Sequence, residues 1–162
     1  MDRFIKLDNG VDEDHLPLIV IVGPTASGKT SLAIQLAKRY RGEIICADSR
    51  TVYRGRNIGT AKPSLEEQQE VSHWGLDLVD PGDSFSVSQF KDYACQKIKE
   101  VRSRGNIPFL VGGTGLYIDS VIFDFQFGGK SSKEKRANLQ EMTISELQQY
   151  CVNHDVALPE NS

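Results

Sequence analysis

Leu18-Ile-Val-Ile-Val22 is an unbroken apolar, β-branched run that ends at Gly23, the pattern of a strand covered on both faces in a parallel sheet. Leu32, Ala33, Leu36, Ala37 and Tyr40 then recur at helical spacing, and Gly42 stands where a left-handed cap would close that helix. Glu43 to Ala47 reads as a second short buried strand, Leu76 to Val79 and Ile107 to Val111 as further strands, and Asp48 to Pro63 as a long loop. Ser64-Leu-Glu-Glu67, Ser86-Val-Ser-Gln89 and Thr143-Ile-Ser-Glu146 each fit a capping box, in which the first and fourth side chains satisfy one another's orphan backbone donors. The middle helix is the most regular, with Val87, Phe90, Ala94, Ile98 and Val101 on one face up to Gly105. Strands that alternate with helices predict an α/β fold, a parallel sheet flanked by helices.

Before and after this core the pattern changes. Met1 to Leu16 has no apolar period and reads as a loose tail; residues 17–127 form the core; residues 128–162 are a flexible joint, Gly128 to Ser132, followed by a polar stretch to Arg136 and a short helical segment. A chain of 162 residues suits one domain. Its longest apolar stretch contains Pro17 and is far shorter than the roughly 20 residues of a membrane-spanning helix. The acidic first segment lacks the basic and then apolar order of an export signal, so a cytoplasmic protein is expected. Cys46, Cys95 and Cys151 show no ligand spacing and are read as three buried thiols. A net charge of −3 excludes a surface that attracts nucleic acid all over, though not a local basic patch. Nothing in the pattern speaks to assembly, and a monomer is the default.

Between the first strand and its helix, Gly23-Pro24-Thr25-Ala26-Ser27-Gly28-Lys29-Thr30 satisfies G-x-x-x-x-G-K-[ST] in the strand–loop–helix context that this motif requires. The glycines let backbone N–H groups converge on anionic oxygens, the helix N-terminus adds partial positive charge, Lys29 supplies a cation, and the Thr30 hydroxyl suits a magnesium ion bridging the same phosphates. Asp48 ends a buried strand, where ligands of open α/β sheets sit, or else caps a helix or turn together with Ser49. Asp80, before Pro81-Gly82, fits a plain turn equally well. Gly112-Gly113-Thr114-Gly-Leu-Tyr117 is either a second anion site or a tight strand–helix packing turn.

Five strings together form a set. Gly-Pro-Thr-Ala-Ser-Gly-Lys-Thr at 23–30, Ala-Asp-Ser at 47–49, Val-Tyr-Arg-Gly at 52–55, Ile-Gly-Thr-Ala-Lys-Pro at 58–63 and Gly-Gly-Thr-Gly-Leu-Tyr at 112–117 resemble the tRNA dimethylallyltransferase family in order and spacing. The resemblance implies a P-loop fold and transfer of a dimethylallyl group from its diphosphate to the exocyclic amine of the adenine 3′ of the anticodon. It implies Asp48 as base, and Thr25 and Lys29 on the diphosphate beside Gly23, Pro24, Ala26, Ser27, Gly28 and Thr30. Asp48, Ser49, Arg50, Thr51, Arg54 and Lys62, with Arg56, would meet the tRNA anticodon arm, and Gly113 and Thr114 would form a substrate-site loop. An amine hidden in a stacked loop must be turned out to react, and the Asp48 to Pro63 segment is placed to receive it.

The chain departs from the family pattern at Thr51, where Gln is usual, and at Trp74, where a second histidine usually follows His73. His73 is read as a core or capping residue. Family members are about twice as long, and the segment from Arg136 to Glu146 stops short of their later arginines. Two other readings compete: a P-loop small-molecule kinase in which Asp48 orients a hydroxyl under a cationic lid of Lys133, Lys135 and Arg136, and a catalytically silent phosphate-binding fragment.

Overall fold

The computed structural model describes residues 16–56, 60, 62–127 and 133–157. Ile58, Gly59, Ala61, the expected tail up to residue 15 and the expected joint at 128–132 lie outside them. Leu16, assigned to the tail from sequence, is buried. The chain separates into two units, one ending at Phe125 and one beginning at Gln126.

The first unit is built on four strands, β1 (Ile19–Val22), β2 (Gly42–Cys46), β3 (His73–Trp74) and β4 (Ile107–Gly112), all parallel in the order β1-β4-β2-β3. Parallel neighbours need crossovers, supplied here by α1 (Lys29–Tyr40), α2 (Leu65–Glu70) and α3 (Val87–Ser103), with α4 (Gly115–Ile122) after β4. Alternation divides the core. Ile44, Cys46, Phe109 and Val111 pack with Ala33, Ile34 and Ala37 of α1. Ile45, Ala47 and Leu110 face Phe90, Ala94 and Ile98 of α3 and Tyr117 and Ile118 of α4. The fold class read from the chain, a parallel sheet flanked by helices, is the one observed.

Four local expectations change. The left-handed cap of α1 is Arg41 (φ 54°), and Gly42 instead opens β2, where a Cβ would stand 2.2 Å from the Phe109 ring. The buried face of α1 is Ala33, Ile34 and Ala37, while Leu32 and Tyr40 are about half exposed. The third strand is His73–Trp74, not Leu76 to Val79: Gly75 (φ 84°) and Asp77 (φ 52°) take left-handed backbone that ends extension, and Val79 keeps only an isolated bridge to Tyr53. Of the three thiols only Cys46 is buried; burial and the nearby Asp48 push its pKa up to about 12, so it stays a thiol.

At the far end of the sheet from the strand tips, Glu43 is buried and accepts hydrogen bonds from Trp74 Nε1 (2.7 Å), Arg104 Nε (3.0 Å) and Nη2 (2.8 Å), and Asn106 Nδ2 (2.8 Å). Burial pulls its pKa up, but the bonds from Arg104, Asn106 and Trp74 prevail and hold it below the ordinary 4.5. A depressed carboxylate stabilises the fold above its unfolded pKa, and that stability is lost as the pH falls below about 4.5 toward the folded value. Glu43→Gln is expected to cost about 2 kcal/mol at pH 7, and much less at pH 3, in urea titrations.

The second unit contains α5 (Lys133–Glu141) and α6 (Ile144–Asn153). The capping box of α6 is present, with Thr143 Oγ1 accepting from the Glu146 N–H at 3.4 Å and Glu146 Oε2 accepting from the Thr143 N–H at 2.8 Å. The α5 helix occupies a stretch read from sequence as merely polar. Among the described residues no helix is long and apolar enough to cross a membrane.

Candidate active site

The described helices differ in how their N-termini are finished. Ser64, Ser86 and Thr143 close α2, α3 and α6 with complete capping boxes. Gly28, at φ 83°, starts α1 with no side-chain cap, and no acidic residue lies in the first turn. The orphan N–H groups and the positive end of the helix dipole are thus left for an external anion. Ala26 (φ 62°) and Gly28 take left-handed backbone on either side of Ser27 and turn the loop. Lys29 folds back over it, donating to the Pro24 carbonyl and, at 3.4 Å, to Ser27 Oγ. A bound anion would exchange these neutral acceptors for charged ones, which bind an ammonium more strongly.

A cleft of about 390 Å³ opens beside this loop. Thr25, Ala26, Ser27, Gly28, Lys29 and Thr30 form one wall; Lys62, Pro63 and Glu67 form another; Ile44, Cys46 and Val111 make an apolar floor, and Asp48, Thr51, His73 and Gly113 complete it. Asp48 joins the floor by parity, since positions 44, 46 and 48 share one face of β2 and its extension.

The Asp48 turn is held from several sides. Its Oδ1 accepts the Arg50 N–H at 2.8 Å, and its carbonyl accepts Thr51 Oγ1 at 3.3 Å. Thr114 Oγ1 accepts the Ser49 N–H at 3.0 Å, and the Thr114 N–H donates to the Ala47 carbonyl at 3.2 Å. The Gly112–Tyr117 string is therefore a close-approach turn: a Cβ on Gly112 would meet the Ala47 carbonyl oxygen at 2.0 Å.

The expected RNA-facing residues divide. Thr51 is buried with its hydroxyl turned to Asp48, so it buttresses the turn. Lys62 is nearly enclosed and paired with Asp77 at 2.7 Å. Arg54 pairs with Asp80 at 2.9 Å in the open, Arg56 lies 4.9 Å over the Tyr53 ring, and the side chain of Arg50 is exposed. Asp80 keeps its turn role as well, accepting the Asp83 N–H at 3.1 Å.

A family model described as IPP transferase matches residues 51–157, and another, isopentenyl transferase, matches residues 16–80. Together they cover the cleft and more than half of the chain. The chain belongs to the tRNA dimethylallyltransferase family. A tRNA dimethylallyltransferase of Staphylococcus carnosus is 47% identical over 146 residues, covering 85% of this chain and 46% of the relative. One of Desulfitobacterium hafniense is 53% identical over 121 residues, covering 75% and 38%. The solved full-length tRNA isopentenylpyrophosphate transferase of Bacillus halodurans superposes with TM-score 0.67 at 46% identity, over 85% of this chain and 44% of that one. A eukaryotic dimethylallyltransferase acting on tRNA gives TM-score 0.72 at 30% identity, over 84% and 35%. The chain thus spans less than half the length of these relatives.

Within this family member, His73 is the residue that sequence reasoning missed. It lines the cleft from β3. Its Nδ1 lies 2.8 Å from the Val71 carbonyl, which can only accept, so Nδ1 carries the proton and Nε2 is an acceptor. Among the described residues that Nε2 is buried without a partner. Burial pushes the His73 pKa down, beyond the opposing pulls of the Val71 carbonyl and Glu67, and keeps the ring neutral at pH 7. A two-residue strand leaves too little pattern to reveal this placement.

Proposed function

We propose that the chain carries the donor-binding and amine-activating parts of dimethylallyl transfer to the adenine 3′ of the anticodon in tRNA. One observation carries this reading: the uncapped, glycine-lined start of α1 and the carboxylate of Asp48 open into the same cleft. The names of the relatives favour it over a small-molecule kinase.

The donor's diphosphate would lie against the N–H groups at the start of α1, with Lys29 turning from the Pro24 carbonyl to a phosphate oxygen. As the allylic carbon–oxygen bond breaks, negative charge grows on the departing diphosphate, and these fixed donors favour that state over the ground state. Asp48, its carboxylate oriented by the Arg50 N–H, would accept a proton from the exocyclic amine as its nitrogen bonds to the allylic carbon. Thr25 lines the same cleft and would contact the diphosphate near the reacting end. Among the described residues no cluster of three or more His, Cys, Asp or Glu forms a closed metal cage. The Thr30 hydroxyl nevertheless fits the sparse protein ligation of magnesium, which takes most of its ligands from phosphate and water. When bound there, the ion would neutralise charge on the diphosphate.

The purified chain, given dimethylallyl diphosphate and unmodified tRNA, is expected to yield N6-dimethylallyladenosine on nuclease digestion and mass spectrometry. Consumption of ATP that depends on a small hydroxyl acceptor would instead support the kinase. Diphosphate binding without either activity would leave the silent fragment.

A further inference from the structure

The loop after Asp48 is basic, yet one of its exposed guanidiniums, that of Arg54, is already engaged. Arg54 Nη1 pairs with Asp80 Oδ1 at 2.9 Å, with Arg54 52% and Asp80 66% exposed, and Nη2 donates to the Leu78 carbonyl at 3.3 Å. Asp77 and Asp83 add to the negative field at the same guanidinium. The two segments are joined independently of these charges. The Arg54 N–H donates to the Val79 carbonyl (2.9 Å), Leu78 N–H to the Val52 carbonyl (2.7 Å) and Asp77 N–H to the Thr51 carbonyl (3.1 Å), with Val52 fully buried as the anchor. The carboxylate of Asp80 is therefore not required to place the main chain of Arg54, only to hold its guanidinium.

The neighbouring pair behaves differently. Lys62 is only 6% exposed in its pair with Asp77, so parting those charges would leave an ammonium poorly solvated. An exposed pair such as Arg54–Asp80 contributes little to stability and exchanges readily for a better anion. A phosphodiester, with two oxygens for a guanidinium fork, is such an anion.

Building on the tRNA reading above, we propose that Asp80 is an intramolecular stand-in for an RNA phosphate: it holds the Arg54 guanidinium in readiness and is exchanged for the RNA backbone on binding. Asp80 thereby lowers affinity for any RNA, and Arg54 becomes the backbone contact whose strength Asp80 sets. Lys62, by contrast, stays paired and maintains the cleft wall.

The test is binding of an unmodified anticodon stem-loop RNA to the whole chain by fluorescence anisotropy at one fixed ionic strength, since such affinities depend steeply on salt. Asp80→Asn is expected to tighten binding about three- to fivefold. Asp92→Asn, an exposed position on α3, makes the same change in net charge and is expected to have far less effect. Arg54→Gln should weaken binding, and Asp80→Asn should then give no gain beyond that of Asp92→Asn. The proposal is overturned if Asp80→Asn matches the Asp92→Asn control, or if its gain survives in the Arg54→Gln background. Wild-type chain that binds no stem-loop would remove the tRNA reading itself, and this inference with it.

Discussion

Asp48→Asn is expected to slow dimethylallyl transfer by about 10²- to 10⁴-fold while changing diphosphate affinity by less than about twofold. Asparagine keeps an oxygen that can accept the Arg50 N–H, so the turn that the aspartate makes at 2.8 Å survives. What is removed is the group that takes the proton. Lys29→Ala should do the reverse in binding: loss of one charge-assisted contact to a phosphate oxygen lowers diphosphate affinity about tenfold or more, and transfer falls with it. Single-turnover transfer and calorimetric titration with inorganic pyrophosphate separate the two effects. Equal loss of affinity in both variants would show that Asp48 holds the donor instead of activating the acceptor.

Gly112→Ala is expected to destabilise the chain by about 3 kcal/mol, more than a single methyl normally costs. The glycine is not there for a left-handed turn. The added carbon would stand 2.0 Å from the Ala47 carbonyl oxygen, and β2 and β4 must part to admit it. That same carbonyl accepts the Thr114 N–H, and Thr114 holds Ser49, so the strain passes directly to the Asp48 turn. Urea denaturation should report the lost stability, and pyrophosphate titration of the fraction still folded should show weakened binding. Wild-type stability would mean that the two strands are looser than the close approach implies.

What the chain announces in advance follows from how local the signal is. The three capping boxes lie within four residues each, and all three helix starts are found where Ser64, Ser86 and Thr143 put them. The phosphate loop is equally local. By contrast, Leu76 to Val79 looks extended until the left-handed Gly75 and Asp77 are seen, and nothing short of the tertiary fold shows why. The Cβ position of Gly75 lies 2.7 Å from the Cys46 carbonyl, so the neighbouring strand dictates that turn. The ion pairs that decide which cations remain available, Arg54 with Asp80 and Lys62 with Asp77, link residues far apart along the chain. Parity carries one further clue, because positions 44, 46 and 48 share a face and place Ile44 and Cys46 in the lining of the cleft with Asp48.

A crystal structure of the chain with a non-reacting thio analogue of dimethylallyl diphosphate shows directly whether the start of α1 seats the donor. Both phosphoryl groups are expected against the N–H groups of residues 26–30, with Lys29 Nζ released from the Pro24 carbonyl and the five-carbon chain over Ile44, Cys46 and Val111 toward Asp48. Phosphoryl groups seated elsewhere, with the Lys29 contacts unchanged, would contradict it.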